Sequence, residues 1–492
     1  MAGTARFGMV GLGTMGKALT LNIAEHGYPV VGFDLDPAKA QAFTDEGSAK
    51  GAKGFSDARE FVAALEPPRT IMFLVPAGAP VDSVIATLSP LLEPNDFLID
   101  GGNSYFKDTE RRGAELKAKQ LGFIGIGVSG GEEGARHGPS MMAGGDQASY
   151  ERVRPLLEAV AAKAEGEPCV KLLGPRSAGH YVKMVHNGIE YGIMQLLAET
   201  YDMMHRGLGM SNADMASVFE SWNGTEIGGF LIQIASDVLR SPDPDTGRDL
   251  IDLVKDKAKQ KGTGKWTSQE AMDLGVPLPT IDAAVAAREM SGLKEERERA
   301  SAVLPLSGVS AGRAQLLGFL EQALYVAMVG TYAQGFAMLR SASGEHEFEL
   351  NLEDVASVWR AGCIIRSGLL PGFMSAFSAE PELENLMVAP SIAPQILARE
   401  SALREVCRFG IDTGIPTPCY AASLAYLDGY RSARLPANFI QAQRDYFGAH
   451  TYERMDKEGV FHSHWGPQHE EGAPTFPTPP KEHPEKSGEY QS

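Results

Sequence analysis

The sequence predicts an α/β N-terminal domain built on a doubly wound parallel sheet, followed by a large all-α domain and a C-terminal tail. A chain of 492 residues is too long for one hydrophobic core, so two or three domains are expected. Short apolar strands alternate with helical segments over the first ~175 residues, which is the rhythm of βαβ units. After Gly174-Pro175 the strand signal vanishes, and long apolar helical patterns indicate a buried helical domain.

These patterns also set the expected boundaries. The α/β domain is predicted to span residues 1–177, the helical domain 178–434 and the tail 435–492. Within the tail, residues 435–453 are predicted to be ordered, and the polar end from Gly466 to be disordered. The strands of the first domain are expected at Phe7–Gly11, Val30–Asp34, Thr70–Val75, Phe97–Asp100, Gly122–Val128 and Val170–Leu173.

The helical domain contains a short internal similarity. The segment Asp214–Phe219, DMASVF, resembles Asp354–Trp359, DVASVW. Each segment follows a long apolar helical pattern, which predicts that the domain is internally duplicated.

Composition narrows the functional classes. Hydrophobic residues make up 43% and charged residues 22%, which is ordinary for a soluble globular protein. The net charge of −18 argues against a nucleic-acid partner but allows a local basic pocket for an anionic metabolite. No apolar run is expected to approach the ~18 residues of a membrane span, and the N-terminus lacks a signal-peptide pattern. Because the four cysteines are scattered without metal-ligand spacing, free thiols, a cytoplasmic location and no metal site are expected.

A glycine fingerprint follows the first predicted strand and opens a predicted helix. The amide groups and dipole of such a helix favour a pyrophosphate. Asp34 ends the next strand about 20 residues further on, where the full fingerprint requires an acid. We therefore predict a Rossmann-like domain that binds a dinucleotide; a glycine turn in an unrelated α/β protein is the alternative. The fingerprint residues are Gly11, Leu12, Gly13, Thr14, Met15 and Gly16.

The acidic segment Asp34-Leu35-Asp36 carries information about the cofactor. A carboxylate at Asp34 can accept both ribose hydroxyls of NAD, whereas it would repel the 2′-phosphate of NADP. The segment contains a second acid and no arginine, and both Asp34 and Asp36 are expected to meet the adenosine ribose. NAD is therefore the predicted cofactor, with NADP possible, unless this is simply a surface turn with two solvated acids.

The helix predicted after residue 178 carries a polar stripe. Because its other faces are apolar, we expect a buried stripe suited to a reaction cleft, with a solvent-facing stripe as the alternative. Lys183 and Glu190 are roughly 10 Å apart along the axis, too far for a simple ion pair and suited to different atoms of one substrate. The stripe is formed by Lys183, His186, Asn187, Glu190 and Tyr191, spaced i, i+3, i+4, i+7 and i+8.

Two loops at predicted strand ends are further candidates for the site. Backbone amides in the turn Ser129-Gly130-Gly131 can hold a carboxylate, although a plain loop has the same pattern. Asn103 follows the strand Phe97–Asp100, at the sheet edge where ligands of open α/β sheets bind.

Four blocks together resemble the 6-phosphogluconate dehydrogenase family. They are VSGGEEGARHGPSMMAGG at 128–145, the helix segment Lys183–Gln195, QKGTGKWT at 260–267 and QRDYFGAHTYE at 443–453. The similarity runs from the N-terminus to about Glu453, with the motifs in order. It implies oxidative decarboxylation of 6-phosphogluconate to ribulose 5-phosphate with NAD or NADP, a step of the pentose phosphate pathway, by a homodimer.

The resemblance also assigns roles to residues. It implies that Lys183 is the general base and Glu190 the general acid, and that Val75, Pro76, Ala77 and Asn103 adjoin the nicotinamide. Arg444 and His450 are implied to complete the phosphate site of the partner subunit. The implied substrate-binding residues are Asn103, Ser129, Gly130, Gly131, His186, Asn187, Tyr191, Lys261, Thr263, Arg288, Arg444 and His450.

The chain departs from the family pattern at three places. NADP-dependent members carry an Asn-Arg-Thr-like triplet where this chain has Asp34-Leu35-Asp36. Gly13 stands where many relatives have alanine, and Pro76 where they commonly have lysine.

Two other functions compete with the implied one. The first is a β-hydroxyacid dehydrogenase of the same superfamily that acts on an unphosphorylated acid, which the joint presence of Lys261, Arg288, Arg444 and His450 argues against. The second is a non-catalytic dinucleotide-binding module, which the presence of Lys183 and Glu190 argues against.

Overall fold

The computed structural model describes residues 5–304 and 315–465. The described residues up to 427 and those from 428 to 465 form two compact units. The second unit begins inside the helix Pro418–Tyr430, a few residues before the expected boundary at 435. The predicted disorder from Gly466 onwards lies outside the described residues.

An eight-stranded sheet organises the N-terminal part of the first unit. Its strand order is β10-β7-β6-β5-β4-β1-β2-β3, and β8 and β9 form a separate two-stranded ribbon. The strands are β1 (Phe7–Val10), β2 (Val30–Phe33), β3 (Lys53–Phe55), β4 (Thr70–Phe73), β5 (Phe97–Asp100), β6 (Gly122–Ser129), β7 (Ser140–Gly144), β8 (Lys163–Ala164), β9 (Glu167–Pro168) and β10 (Val170–Gly174).

The prediction of an all-parallel sheet is wrong at one edge. Strands β3, β2, β1, β4, β5 and β6 are parallel, whereas β7 is antiparallel to β6 and β10 is parallel to β7. Only the ten residues 130–139 separate β6 from β7. A parallel crossover needs about a dozen residues or more, so the chain turns back at this point. Both β3 and β7 were missed from the sequence, since each is short and contains glycine.

Helices cover both faces of the sheet, as a doubly wound domain requires. Two separate apolar cores lie on the two sides of strands such as β1, whose residues are all buried. Asp36, Asp57 and Asp146 each cap the N-terminus of a helix. The helices are α1 (Thr14–Glu25), α2 (Pro37–Gly47), α3 (Ala58–Ala63), α4 (Ala79–Leu88), α5 (Phe106–Ala118), α6 (Gly131–His137) and α7 (Gln147–Val160).

The rest of the first unit is helical, as predicted, and surrounds one large apolar core. Helix α8 packs against α14 and also against strands β6, β7 and β10, so the predicted α/β and helical domains share an interface. The remaining helices are α8 (Ala178–Asp202), α9 (Asn212–Asn223), α10 (Phe230–Arg240), α11 (Thr263–Asp273), α12 (Pro279–Gly292), α13 (Lys294–Val303), α14 (Leu316–Glu345), α15 (Leu352–Val358), α16 (Leu370–Ala379), α17 (Ala393–Thr413), α18 (Pro418–Tyr430) and α19 (Ala437–Gly448).

The positions of the helices support the predicted duplication. Helices α9 and α15, which carry the two similar segments, begin at residues 212 and 352. The helices that follow them, α10 and α16, begin at residues 230 and 370. The offset is 140 residues in both cases, and each pair follows one of the two long helices α8 and α14.

Helix α14 contradicts the expectation that no segment approaches the length of a membrane span. Among the described residues, Leu316–Glu345 alone is long and apolar enough to cross a membrane by these two criteria. However, 72% of its apolar window is buried inside the protein. The core helix of a globular protein has the same composition, because it too is apolar on most faces.

The second unit contains α19 and a hairpin of two short strands, β11 (Tyr452–Glu453) and β12 (Val460–Phe461). Ordered structure therefore extends past the predicted limit at 453. The two strands also lie after residue 174, where the sequence pattern predicted none. The fully buried Asp445 organises this unit. Its carboxylate accepts hydrogen bonds from the amides of Thr451 and Ser463 and from the Trp465 indole.

Candidate active site

The glycine fingerprint forms a tight turn between β1 and α1. Gly11 has φ +89°, and a Cβ there would lie 2.6 Å from the Leu74 carbonyl oxygen. A Cβ on Gly16 would lie 1.8 Å from the Gly11 carbonyl oxygen, so the helix can approach the strand only without a side chain. A Cβ on Gly13 would meet no described atom within 4 Å. The side of the turn at Gly13 is therefore open, as the approach of a pyrophosphate to the start of α1 requires.

Asp34 lies at the end of β2 and faces this turn. Its carboxylate accepts hydrogen bonds from the amides of Leu12 (2.8 Å) and Asp36 (2.9 Å). Lys39 Nζ is 3.9 Å from Asp34 Oδ1. Asp36 has a structural role that sequence reasoning missed, since its side chain caps α2 by accepting the Ala38 amide. Leu35 between them is 84% exposed.

Two more loops lie at the same carboxyl edge of the sheet. Val75, Pro76 and Ala77 follow β4, which is the neighbour of β1 where the strand order reverses. Asn103 follows β5 and is exposed. A Cβ on Gly102 would lie 3.2 Å from the Val75 carbonyl oxygen, so the two loops are in contact. Ligands of open α/β sheets bind at such a switch point.

The predicted polar stripe of α8 is largely buried, which rules out the solvent-facing alternative. The side chains of Lys183, His186, Asn187 and Tyr191 are buried, while Glu190 retains partial exposure. Helix α8 reaches the sheet because β6 has a glycine at the contact. A Cβ on Gly127 would lie 2.3 Å from Lys183 Cβ.

His186 connects the functional groups of this stripe. Its Nδ1 lies 3.3 Å from Lys183 Nζ and 3.0 Å from Asn187 Oδ1. Its Nε2 lies 3.2 Å from the Ser129 hydroxyl, and Nδ1 is 3.8 Å from Glu190 Oε2. The lysine and the glutamate thus approach the same nitrogen of one imidazole, while Ser129 lies at the other.

Burial controls the charge of these groups. Burial lowers the pKa of Lys183 to about 8, and the nearby Glu190 carboxylate opposes this shift. Burial raises the pKa of Glu190, against the charges of Lys183 and Arg288. Burial and the Lys183 charge hold the pKa of His186 well below its usual value. Burial therefore makes the lysine give up its proton more readily than in water, makes the glutamic acid hold its proton more firmly, and favours the neutral form of the imidazole.

The turn Ser129-Gly130-Gly131 joins β6 to α6 beside His186. Gly130 and Gly131 have φ +127° and +64°, which side chains rarely adopt. A Cβ on Gly130 would also lie 2.5 Å from the Gly362 carbonyl oxygen. The backbone of this turn therefore requires glycine, which a plain loop would not.

The structure brings three of the predicted phosphate-binding residues together. The guanidinium carbon of Arg288 lies 3.6 Å from the centre of the Tyr191 ring. A Cβ on Gly264 would lie 2.5 Å from the same ring, which places the neighbouring Thr263 at the first turn of α11 nearby. Lys261 is exposed just before this helix. Arg444 and His450 belong to the second unit, so their contribution stays a prediction.

Sequence reasoning missed two residues that hold the stripe in place. Trp359 is buried, with its ring edge-on to His186 at 5.8 Å between centroids. Thr267 donates a hydrogen bond to the Met184 carbonyl oxygen (2.9 Å) and so ties α11 to α8. The similarity between the segments ending at Phe219 and Trp359 pointed to the position of Trp359 but not to its contact. Among the described residues, no group of three or more His, Cys, Asp or Glu side chains could hold a metal ion.

Two family models match almost the whole chain. Residues 6–174 match the NAD-binding domain of 6-phosphogluconate dehydrogenase, and residues 179–465 match the C-terminal domain of 6-phosphogluconate dehydrogenase.

Similar proteins agree with this match. An NADP(+)-dependent, decarboxylating 6-phosphogluconate dehydrogenase from Bacillus subtilis is 48% identical over 463 residues, covering 94% of this chain and 99% of the relative. A decarboxylating 6-phosphogluconate dehydrogenase from Escherichia coli is 48% identical with the same coverage. The Plasmodium falciparum 6-phosphogluconate dehydrogenase, solved in its apo form and with NADP+ or 6-phosphogluconate, superimposes with a TM-score of 0.89 at 37% identity, covering 94% of this chain and 100% of that one. The chain therefore belongs to the 6-phosphogluconate dehydrogenase family.

Proposed function

We propose that the chain catalyses the NAD(P)-dependent oxidative decarboxylation of 6-phosphogluconate to ribulose 5-phosphate and carbon dioxide. The observation that carries this proposal is the set Lys183, His186 and Glu190, which lies on the helix packed against the sheet of the dinucleotide domain. A nicotinamide cofactor supplies the hydride acceptor when bound, and the protein supplies the acid and base.

Lys183 has the properties of a general base. Its neutral amine can take the proton from the 3-hydroxyl while hydride leaves C3, because a pKa of about 8 leaves part of the lysine deprotonated near neutral pH. The product of this step is a 3-keto acid. The C1–C2 bond then breaks and carbon dioxide leaves, while the electron pair of that bond enters the ketone. The ketone oxygen takes the proton back from Lys183, which gives an enediol.

Glu190 has the properties of the general acid. Because burial raises its pKa, the carboxyl group holds its proton to higher pH than an exposed glutamate, as suits the acid that protonates C1 of the enediol while Lys183 takes the proton of the enediol hydroxyl. This proton transfer gives ribulose 5-phosphate. His186 lies beside both groups, since its Nδ1 is close to Lys183 Nζ and to Glu190 Oε2.

The remaining polar groups suit the two ends of the substrate. Ser129, Gly130, Gly131, Asn103, His186 and Asn187 would hold the carboxylate and hydroxyl end. Tyr191, Lys261, Thr263 and Arg288 would hold the 6-phosphate, since cations and hydroxyl donors suit a phosphate dianion. The partner subunit's Arg444 and the partner subunit's His450 would complete the phosphate site of a homodimer.

A turnover assay tests the function. Incubation with 6-phosphogluconate and NAD or NADP is expected to form reduced cofactor, carbon dioxide and ribulose 5-phosphate. Gluconate is the matched control, because it lacks only the phosphate. Equal turnover of gluconate would favour the β-hydroxyacid dehydrogenase alternative. We also infer a cytoplasmic location, with which the four buried free thiols agree.

We expect NAD to be preferred to NADP, as judged by kcat/KM. Asp34 faces the fingerprint turn, and a carboxylate there repels a 2′-phosphate. Asp34→Asn should shift the ratio of kcat/KM values toward NADP. Asp146→Asn is the matched control, because Asp146 caps a helix outside the acidic segment, asparagine caps as well as aspartate does, and the ratio should stay nearly unchanged. A clear NADP preference of the unchanged protein would contradict this and would direct attention to Lys39.

The pH dependence of kcat/KM should report Lys183. Protonated Lys183 cannot accept a proton, so kcat/KM should fall about tenfold per pH unit below a pH near 8. The Glu190 carboxylate raises the pKa of Lys183. In Glu190→Gln, the fall of the residual kcat/KM, which is the acidic limb of the pH profile, should therefore lie at lower pH. A limb that stays in place or moves to higher pH would contradict the assignment.

A further inference from the structure

One buried arginine at the carboxyl edge of the sheet has no part in the mechanism above. Arg112 on α5 is 1% exposed. Its Nε and Nη2 donate to the two carboxylate oxygens of Asp82 at 2.9 and 3.1 Å. Nη2 also donates to the Gly78 carbonyl oxygen at 3.1 Å. One side of the guanidinium therefore holds the end of the loop that follows β4.

The other side of the guanidinium holds the loop that follows β5. Nη1 donates to the Ser104 hydroxyl at 3.3 Å and lies 3.8 Å from Asp100 Oδ2. The buried Asp100 carboxylate accepts the Gly102 amide (3.0 Å) and the Ser104 hydroxyl (2.6 Å). Arg112 thus cross-links the two loops that contain Pro76 and Asn103. Only the flat, five-donor fork of arginine can make all these contacts at once.

The same network reaches the helix that carries Lys183. His180 is buried on α8, and its Nε2 lies 3.1 Å from the Asp100 carbonyl oxygen. Its Nδ1 lies 2.7 Å from the hydroxyl of Thr109, on α5 beside Arg112. The loops at the cofactor edge and the start of the catalytic helix are therefore parts of one hydrogen-bonded assembly.

We propose that Arg112 is a positioning residue for hydride transfer. It holds the loops after β4 and β5 at the spacing that places the nicotinamide ring against C3 of the substrate and against Lys183. The proposal rests on the proposed function, because it assigns these loops to the nicotinamide. It predicts an effect on the chemical step rather than on the binding of the sugar acid.

The test compares Arg112→Lys with Arg111→Lys. Arg111 also donates to Asp82 (2.8 Å), but it is largely exposed and its other contacts are with Asp108 and Glu115 on its own helix. Arg112→Lys should lower kcat ~10²-fold, the cost of a misplacement of about 1 Å, and leave the KM for 6-phosphogluconate little changed. With substrate deuterated at C3, Arg112→Lys should show a larger isotope effect on kcat than the unchanged protein, because hydride transfer becomes rate-limiting. Arg111→Lys should leave kcat and the isotope effect unchanged.

Equal behaviour of the two variants, or a loss confined to the KM for 6-phosphogluconate, would overturn the proposal. If Arg112→Lys does not fold, Asp82→Asn is tested in its place. This change weakens the hydrogen bonds that hold Arg112, so it should lower kcat and raise the isotope effect in the same direction but by less. An Asp82→Asn protein with normal kcat and isotope effect would also overturn the proposal. Absence of turnover by the unchanged protein would instead refute the proposed function. Even without turnover, the fluorescence of bound NADH should differ between the Arg112 and Arg111 variants, because it reports the surroundings of the nicotinamide.

Discussion

Replacing Lys183 by methionine is expected to lower kcat ~10²–10⁴-fold, the usual contribution of a general base. Methionine fills a similar volume in the buried position, so the α8 packing against Gly127 should survive. The change removes the amine that lies 3.3 Å from His186 Nδ1. Steady-state turnover, the thermal unfolding midpoint and the Kd for NAD should be measured together. Only turnover should change strongly.

Two further variants define this result. Glu190→Gln keeps the shape of the side chain and removes its proton, so it too should lower turnover severely. Lys171→Met is the matched control for the loss of a lysine. Lys171 lies on β10, outside the stripe, and pairs with Asp354 on α15. Near-normal turnover of Lys183→Met across pH would mean that another group is the base. A large loss in Lys171→Met would mean that lysine removal acts through folding.

The parts of the fold that could be predicted from sequence are those specified by local patterns. The strands β1, β2, β4 and β5 are short apolar runs bounded by turns, and the structure places all four in the sheet. The glycine turn was predicted because its steric needs lie within six residues, Gly11–Gly16. The direction of β7 could not be read this way. It depends on how few residues separate it from β6 and on the packing of both strands beneath α8.

The candidate site shows the same division. Helical spacing alone predicted that Lys183, His186 and Glu190 share a face, and the distances around His186 confirm that they do. Spacing could not predict which distant residues enclose that face. Trp359 and Thr267 reach it from helices that are far away in sequence. Their contacts arise from tertiary packing, which a single sequence does not encode at any fixed distance.

The C-terminal unit presents an apolar surface that needs a partner. On the single chain, helix α19 leaves Phe439, Ile440, Tyr446 and Phe447 exposed, with 73% of Phe447 accessible. Exposure of several large apolar groups on one short helix is costly in water and marks an interaction surface. It supports the proposal that this helix docks on the partner subunit of a C₂ dimer, with reciprocal exchange of the two tails.

Mixing two inactive variants tests this exchange. Lys183→Met lacks the base, and Arg444→Ala lacks a proposed phosphate ligand that would be delivered to the partner's site. In a mixed dimer, one site would carry both defects and the other neither. Random exchange of subunits at equal concentration should therefore restore activity at about a quarter of all sites. The activity of the mixture after subunit exchange is compared with that of each variant alone.

The control for this mixture replaces Arg444→Ala with Glu190→Gln. Lys183 and Glu190 lie on the same helix and serve the same site, so each site of a mixed dimer keeps one defect and activity should stay low. Differently tagged subunits, captured in sequence, establish that mixed dimers have formed. If such dimers contain Lys183→Met and Arg444→Ala and remain inactive, then Arg444 serves the site of its own chain and the composite site is wrong. Recovery in the first mixture but not in the control requires that Arg444 crosses to the partner, because no arrangement within one chain separates the two defects.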